Sequence, residues 1–289
     1  MSESRDPIDA LPPLRTVIAR HGLGARKSLG QHFLLDLNLT VRIARASGNL
    51  AKGTVIEVGP GPGGLTRALL GAGAARVIAI ERDPRCIEAL AELRDAANGR
   101  LEIIAADARK IDIAALGDAP RRIVANLPYN VATPLLIDWL TKAEAFAGMT
   151  LMFQREVADR IVAHAGDPAY GRLSVIANWR CLTAKLLNLP ARAFTPAPKV
   201  ASAVIALTPY ASPPFPADQA ALEAVTAAAF GQRRKMLRGA LKSLKTDPLA
   251  LLKTADIDPT ARAETVDIAG FSALARAYAD TLSNPDAIP

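Results

Sequence analysis

The sequence predicts an α/β protein built on a mostly parallel, doubly wound sheet with an antiparallel edge strand, followed by a small C-terminal helical domain. Three observations carry that reading. Short β-branched runs alternate with Ala- and Leu-rich stretches of helical length from residue 54 to residue 154. Two further strand-like runs then follow each other with no helix between them, and beyond residue 209 Ala, Leu, Lys and Arg dominate. Strand and helix in alternation bury a parallel sheet between helical layers, whereas consecutive strands pair antiparallel.

Taken in order, a Pro-containing leader precedes residues 15–50, where basic and apolar positions alternate in helices broken around Gly22 and Gly24, and 1–50 are expected to form an N-terminal helical capping segment. TVIEVGP (54–60), ARVIAIERD (75–83), LEIIAADA (101–108), RRIVANLPY (121–129) and MTLMFQ (149–154) are the successive strands of a domain spanning 51–209. LLNLPARAF (186–194) and SAVIALTP (202–209) are its antiparallel edge. Four prolines in TPYASPPFPAD mark a linker. The domain 210–289 is then expected to hold three or four short helices, stopped at Pro248 and Pro259.

Composition narrows the function. The 289 residues are 50% hydrophobic and carry 35 Lys and Arg against 28 Asp and Glu, a formal net charge of +7. Such a chain is no disordered acidic segment, and it is long enough to build a core without staples. Cys86 and Cys181 stand apart and three histidines are scattered, which excludes a disulfide framework and a zinc-ligand spacing, so a reducing cytoplasm and no metal are expected. The amino terminus lacks the apolar core of a signal peptide and no stretch approaches the ~18 apolar residues of a membrane span, so a cytoplasmic protein with no membrane partner is expected. The whole excess of positive charge falls within residues 1–205. Residues 206–289 are formally neutral, yet they contain FGQRRKMLRGALKSLK (230–245), with six basic side chains and no acidic one. Clustered positive charge points to phosphate backbones.

The chemistry begins after the first strand of the domain. In EVGPGPGGLT (57–66) Gly59, Gly61 and Gly64 satisfy GxGxxG. A tight strand-to-helix turn needs residues without Cβ, for unusual φ values and for close approach of a cofactor to the backbone. NAD and S-adenosylmethionine are rivals for such a turn. Glu81, 22 residues beyond Gly59 at the end of the second strand, can accept both hydroxyl hydrogens of a ribose, which both cofactors have. Asp107 ends the third strand within reach of an adenine amine, and that position favours S-adenosylmethionine.

The fourth strand ends in NLPY (126–129). An exocyclic adenine amine is a poor nucleophile because its lone pair is delocalised into the ring, so an enzyme must hold it with acceptors for its hydrogens. Asn126 supplies a side-chain carbonyl, Pro128 a rigid turn with a backbone carbonyl, and Tyr129 a face on which a base stacks. No NAD enzyme needs this tetrad.

EVGPGPGGLT, Glu81, Asp107 and NLPY together resemble the S-adenosylmethionine-dependent adenine-N6 RNA methyltransferases, and in particular the ribosomal RNA adenine dimethyltransferase family. KSLGQHFLLD (27–36), AYGRLSV (169–175), FTPAPKVASAV (194–204) and FGQRRKMLRGAL (230–241) are similar to further segments of that family, so the resemblance covers nearly the whole chain. It implies a Rossmann-like methyltransferase sheet and S-adenosylmethionine as cofactor, with His32, Leu34, Gly59, Gly61, Glu81, Asp107 and Asn126 around it. Where His32 stands the family often has Asn, so a backbone contact is what is expected of it. Asn126, Pro128 and Tyr129 would present the target base and Phe194 would close its other face.

The resemblance also implies dimethylation of N6 on two adjacent adenosines in a hairpin near the 3′ end of small-subunit rRNA, on a pre-ribosomal small subunit, by an enzyme expected to be a monomer. Two alternatives stay open: a large-subunit rRNA methyltransferase of the macrolide-resistance type, and a ribosome-assembly or nucleic-acid-binding factor with secondary catalysis. For the RNA itself, residues 230–245 are expected to form one helix. Arg234, Arg238, Lys242 and Lys245 would share a face, with Arg233 and Lys235 flanking it, and no acidic i+4 partners stand opposite. Met236 and Gly239 depart from the polar residues expected there. Arg172 is expected on a mobile RNA-facing loop. Cys86 has no role beyond that of a small buried apolar residue.

Overall fold

Unbroken β-branched runs suit strands covered on both faces. In the structure, a computed structural model that describes residues 7–26 and 29–283, β2 (Thr54–Val58) and β3 (Val77–Glu81) are buried at every position. Ahead of them come α1 (Leu14–Arg20), β1 (Phe33–Leu34) and α2 (Leu37–Ala46), the last begun by Asp36, whose carboxylate accepts the Asn38 N–H at 2.9 Å. Such a cap contributes ~1 kcal/mol. Then follow α3 (Gly64–Gly71), α4 (Pro84–Ala89), α5 (Ala91–Ala96), β4 (Leu101–Ala105), β5 (Arg121–Asn126), α6 (Tyr129–Thr141) and β6 (Gly148–Gln154). The chain continues through α7 (Arg155–Val162) and α8 (Arg172–Arg180) and returns along β7 (Cys181–Leu189), β8 (Phe194–Thr195) and β9 (Ser202–Pro209).

The seven-stranded sheet has the order β4-β3-β2-β5-β6-β9-β7. β4, β3, β2, β5 and β6 are parallel, and β9 lies antiparallel to β6 over Met149–Gln154. Strand order reverses beside β2: β3 and β4 build outward on one side, and β5 starts the other. In an open sheet, that reversal leaves a crevice at the carboxyl ends of the strands. The mostly parallel sheet with an antiparallel edge is as expected from the sequence. One strand differs in extent, because the run expected at 186–194 is the end of β7, a short 3₁₀ turn at Ala191–Ala193, and β8. β8 leaves the main sheet to pair with β1, Phe33 opposite Thr195 and Leu34 opposite Phe194.

Two compact units share the chain: 1–158 with 184–209, and 159–183 with 210–289. This division differs from the expected 1–50, 51–209 and 210–289. Ile8, Ile43 and Leu50 share one apolar core with Val55, Leu69 and Val77, and Val17, Leu23 and Phe33 pack with Cys86 and Ala89, so the described residues before 51 join the sheet domain's cores. Residues 159–183 belong with the helices. Asn178 donates to the Ile161 carbonyl at 2.9 Å, and the buried Tyr170 hydroxyl donates to the Val266 carbonyl at 2.9 Å.

The second unit adds α9 (Gln219–Gly231), α10 (Leu237–Ala240), α11 (Pro248–Thr254) and α12 (Ile268–Ser283). Its core includes a ring cluster in which Phe230 meets Tyr170 edge-on at 5.8 Å and Phe271 at 5.4 Å. Pro248 opens a helix rather than stopping one. It occupies the first turn, where its missing N–H costs nothing, behind the capping carboxylate of Asp247.

Residues 230–245 do not form the single helix expected. α9 ends at Gly231, the Met236 backbone bridges to Arg262 as a short antiparallel pair, and the turn Leu241–Leu244 closes on Lys245 at φ +57°. The regular i, i+4 stripe therefore does not exist. No helix among the described residues is long and apolar enough to cross a membrane.

Candidate active site

At the carboxyl end of β2 the backbone turns through Gly59, Gly61 and Gly63, all at positive φ. Gly63 starts α3 at φ +89°, and a Cβ there would meet Leu90 Cδ2 at 2.8 Å, so the turn is fixed by sterics as well as by dihedral preference. Gly59 N–H donates to the Ile80 carbonyl at 2.9 Å, which ties the turn to the neighbouring strand end. That end carries Glu81, 5% exposed. Its carboxylate accepts the backbone N–H groups of Gly61 (3.1 Å), Arg82 (2.8 Å) and Asp83 (2.9 Å). Burial nevertheless pushes its pKa up, because desolvation of the charge outweighs these three bonds and Asp83 adds repulsion.

Asp83 acts as a clasp that the sequence did not reveal. It caps α4, forks with Arg85 and accepts the Gln31 amide at 3.0 Å, while Arg85 also reaches the Gly22 carbonyl at 3.3 Å. The Arg85 guanidinium holds its carboxyl down to about 2. Through Gln31 it fixes the loop that leads into β1. Lys27 and Ser28 of the expected KSLGQHFLLD segment lie outside the described residues.

Asp107 stands where expected, at the end of the third strand of this edge. It caps the turn Ala108–Lys110 and is gripped by Arg109, with Arg82 3.6 Å away, and this pairing holds its pKa down to about 2. Asn126 ends β5, and its Nδ2 donates to the His32 carbonyl at 3.2 Å. That contact turns the other amide atom, an acceptor, away from the His32 backbone. The His32 carbonyl is thus engaged by Asn126, a contact within the protein rather than the cofactor contact expected of it.

Two expectations for the base side change. The Pro128 carbonyl accepts the N–H groups of Val131 and Ala132, both at 3.1 Å, because Pro128 is the cap of α6; its acceptor capacity is spent. Phe194 is 3% exposed, part of the apolar core, and absent from the cleft lining, because its pairing with Leu34 turns its ring inward. The ring that faces Tyr129 is His32, with centroids 5.5 Å apart and planes 29° from parallel. His32 Nδ1 lies 2.8 Å from the Pro196 carbonyl, and the Tyr129 hydroxyl lies 2.6 Å from Ser202 Oγ.

His32, Leu34, Gly59, Gly61, Glu81, Asp107, Asn126, Pro128 and Tyr129 all border one cleft of about 1100 Å³, open mouth included. Glu57 borders it too. Its carboxyl is 1% exposed and its Oε2 has no regular hydrogen bond. Sequence reading passed over Glu57 because it sits inside a strand; its place in EVGPGPGGLT was the available signal.

In the second unit Arg234, Lys235, Arg238 and Lys242 are exposed. Arg233 is otherwise engaged, its guanidinium donating to the Pro168 and Tyr170 carbonyls, each at 2.9 Å. Arg172 is the first residue of α8 rather than part of a loop, 3.9 Å from Glu223.

A switch-point sheet with an antiparallel edge strand, and a cleft at its carboxyl edge bordered by a glycine turn, carboxylates, an amide and a tyrosine, fit the class of S-adenosylmethionine-dependent methyltransferases. The sequence profile of the ribosomal RNA adenine dimethylase family matches residues 22–280. Ribosomal RNA small subunit methyltransferase A of Rhodospirillum rubrum is 64% identical over 94% of each chain. Among solved structures, a dimethyladenosine transferase from Plasmodium falciparum is similar with a TM-score of 0.75 at 26% identity, covering 84% of this chain and 96% of that one. The 23S rRNA methyltransferase ErmE reaches a TM-score of 0.66 at 26% identity, over 86% of this chain and 99% of its own. The chain belongs to the ribosomal RNA adenine dimethylase family and is an S-adenosylmethionine-dependent enzyme. The cleft suits that cofactor: the glycines of the turn border it without side chains of their own, carboxylates line one edge, and a carboxyl oxygen without a regular hydrogen bond lies buried in the wall.

Proposed function

We propose that the enzyme dimethylates N6 of two adjacent adenosines in a hairpin near the 3′ end of small-subunit rRNA, acting as a monomer on a pre-ribosomal small subunit in the cytoplasm. The adenine chemistry rests on one observation, the Asn126 amide oriented by the His32 carbonyl so that its oxygen is left to accept a hydrogen of the target amine. The choice of subunit rests on the 64% identity to a protein named as a small-subunit methyltransferase, against 26% for the 23S enzyme.

The shared cleft supports the residue roles we assign. Gly59 and Gly61 would border the amino-acid end of the cofactor, Glu81 its ribose and Asp107 its adenine amine. The cofactor supplies a methyl group already activated on a sulfonium. Asn126 Oδ1 takes one hydrogen of the target amine, and the Leu127 carbonyl, on a buried residue of the cleft lining, takes the second in place of Pro128. Tyr129 stacks on the base. With both hydrogens held, the nitrogen lone pair is drawn out of conjugation toward an in-line attack, and the proton leaves to water after transfer. Asn126 is not ionisable, so orientation carries the rate rather than a strong base. Arg234, Lys235, Arg238 and Lys242 meet RNA phosphates.

The test is to incubate the protein and labelled S-adenosylmethionine with small subunits lacking the modification, beside naked RNA and large subunits, and to map the label. Two dimethylated adenosines near the 3′ end of small-subunit RNA are expected. Label confined to large-subunit RNA would overturn the substrate, and no label on any substrate would favour the assembly-factor alternative.

A further inference from the structure

Glu57 lies in the middle of the cofactor-binding edge with no charge to answer its own. The side chain is 1% exposed, borders the cleft, and leaves Oε2 buried without a regular hydrogen bond; the buried Thr66 hydroxyl on α3 faces the carboxyl and stabilises its charge only in part. A buried ionised carboxyl in such a place is costly unless a cation arrives. From β3 the group facing it is the Glu81 carboxyl, which repels, and the β5 residues alongside, Ile123 and Val124, are apolar. The other titratable groups lining the cleft are His32, Arg82, Asp107, Arg109 and Tyr129, and both arginines are committed to Asp107. Among the described residues, no cation serves Glu57.

We infer that Glu57 is the counter-ion for the cofactor's sulfonium: a neutral acid in the free enzyme, it releases its proton when the cation enters the cleft and recovers one when only the uncharged thioether product remains. The balance is simple. The carboxyl O–H breaks heterolytically, the proton passes to the buffer, and one negative charge faces one positive charge. The amino-acid end of the cofactor carries both an ammonium and a carboxylate, so the sulfonium is the net charge by which cofactor and product differ. The acidity of the free enzyme agrees: burial, opposed in part by the Thr66 hydroxyl and reinforced by Glu81, pushes the Glu57 pKa up to about 8. The cleft then tells fresh cofactor from spent product by charge, and it does so better as pH rises. Below about pH 8, where Glu57 is still protonated in the free enzyme, cofactor affinity should gain close to tenfold per pH unit relative to a form that cannot titrate, and the gain should level off above that value.

Calorimetric titration of S-adenosylmethionine and of S-adenosylhomocysteine in buffers of different ionisation enthalpy tests this on the intact protein. At pH 7 the wild type should release most of one proton on binding the first ligand and clearly less on binding the second. Glu57→Gln, an isosteric mimic of the neutral acid, should remove that difference while still binding the thioether. Infrared difference spectra of the wild type give a second readout independent of any variant. The carbonyl band of a protonated carboxylic acid should vanish on adding S-adenosylmethionine and persist with S-adenosylhomocysteine. Equal proton release for the two ligands, unchanged release in Glu57→Gln, or no loss of the acid band would each overturn the inference.

Discussion

The cofactor edge of the first unit and the basic segment of the second hold their charges in opposite ways. Glu81 and Asp83 are buried at the end of one strand and tied to backbone N–H groups and to Arg85, so each oxygen has one position. Arg234, Lys235, Arg238 and Lys242 stand in water along a chain that is helix, turn, bridge and helix again. A small cofactor of fixed shape needs fixed donors and acceptors, and a strand end provides them. A polyanion is met by a field, and a field tolerates irregular spacing. Substitution at the edge should therefore act on chemistry or cofactor affinity at one point, whereas substitution in the segment should act through salt.

The sharpest break is Asn126→Ala. Losing the acceptor for the target amine should lower single-turnover methyl transfer by at least ~100-fold while calorimetric cofactor affinity stays within a few-fold. Glu81→Gln keeps the shape but removes the charge that three N–H groups serve, and should weaken cofactor binding by ~10-fold or more, with Asn126 chemistry intact once the cofactor is saturating.

On the base side, Tyr129→Ala should raise the KM for RNA by the loss of ~1–3 kcal/mol of stacking. Tyr129→Phe, which loses only the Ser202 bond, should cost about 1 kcal/mol or less. A Phe variant as damaged as Ala would mean that the hydroxyl, not the ring, carries the role.

Replacing Arg234 and Arg238 together with Ala should flatten the salt dependence of RNA binding by roughly 1.4–1.8 in the log–log slope, two phosphate contacts' worth, with transfer at low salt little changed. Arg233→Ala is the contrast. It should lower thermal stability by about 1 kcal/mol through lost bonds to Pro168 and Tyr170 and leave the slope alone. A slope unchanged by the double substitution would return the segment to an ordinary wet surface.

The smallest effect expected is at Asp107. Its folded-state pKa lies below the ordinary carboxylate value, so the stability it gains from Arg109 is present above that ordinary range and is lost as pH falls through about 2. Arg109→Ala should be slightly less stable than the wild type at neutral pH, and acid titration of unfolding should show that difference shrink and vanish as pH falls through about 2.

What could be read in advance follows the same division. Gly59, Glu81, Asp107 and Asn126 were legible because a strand end puts a known residue at a known edge, and the register of parallel β-branched runs leaves little choice. Glu57 was hidden by that very regularity: one acidic residue inside a strand reads as strand. Phe194 and His32 exchanged places because the pairing of β1 with β8, which turns Phe194 inward, joins residues about 160 positions apart and has no local signal. Pro128 was read for its rigid φ, and its role as a helix cap, which spends its carbonyl, only emerges with α6 in place. The basic stripe failed because spacing has meaning only inside an unbroken helix, and Gln232 at φ −129°, ψ 55° ends that helix before the stripe begins.

The β1–β8 ribbon has a consequence for the order in which the enzyme becomes competent. His32, whose carbonyl holds Asn126 and whose ring covers Tyr129, is followed directly by a strand whose partner is synthesised some 160 residues later. A nascent chain long enough to contain the glycine turn, Glu81, Asp107 and Asn126 still lacks the second half of its front wall. The first unit thus contains every residue of its cofactor edge well before translation supplies the strand that frames it, and maturation of the site is timed by the arrival of residues 194–195 rather than by any of the groups that touch the cofactor.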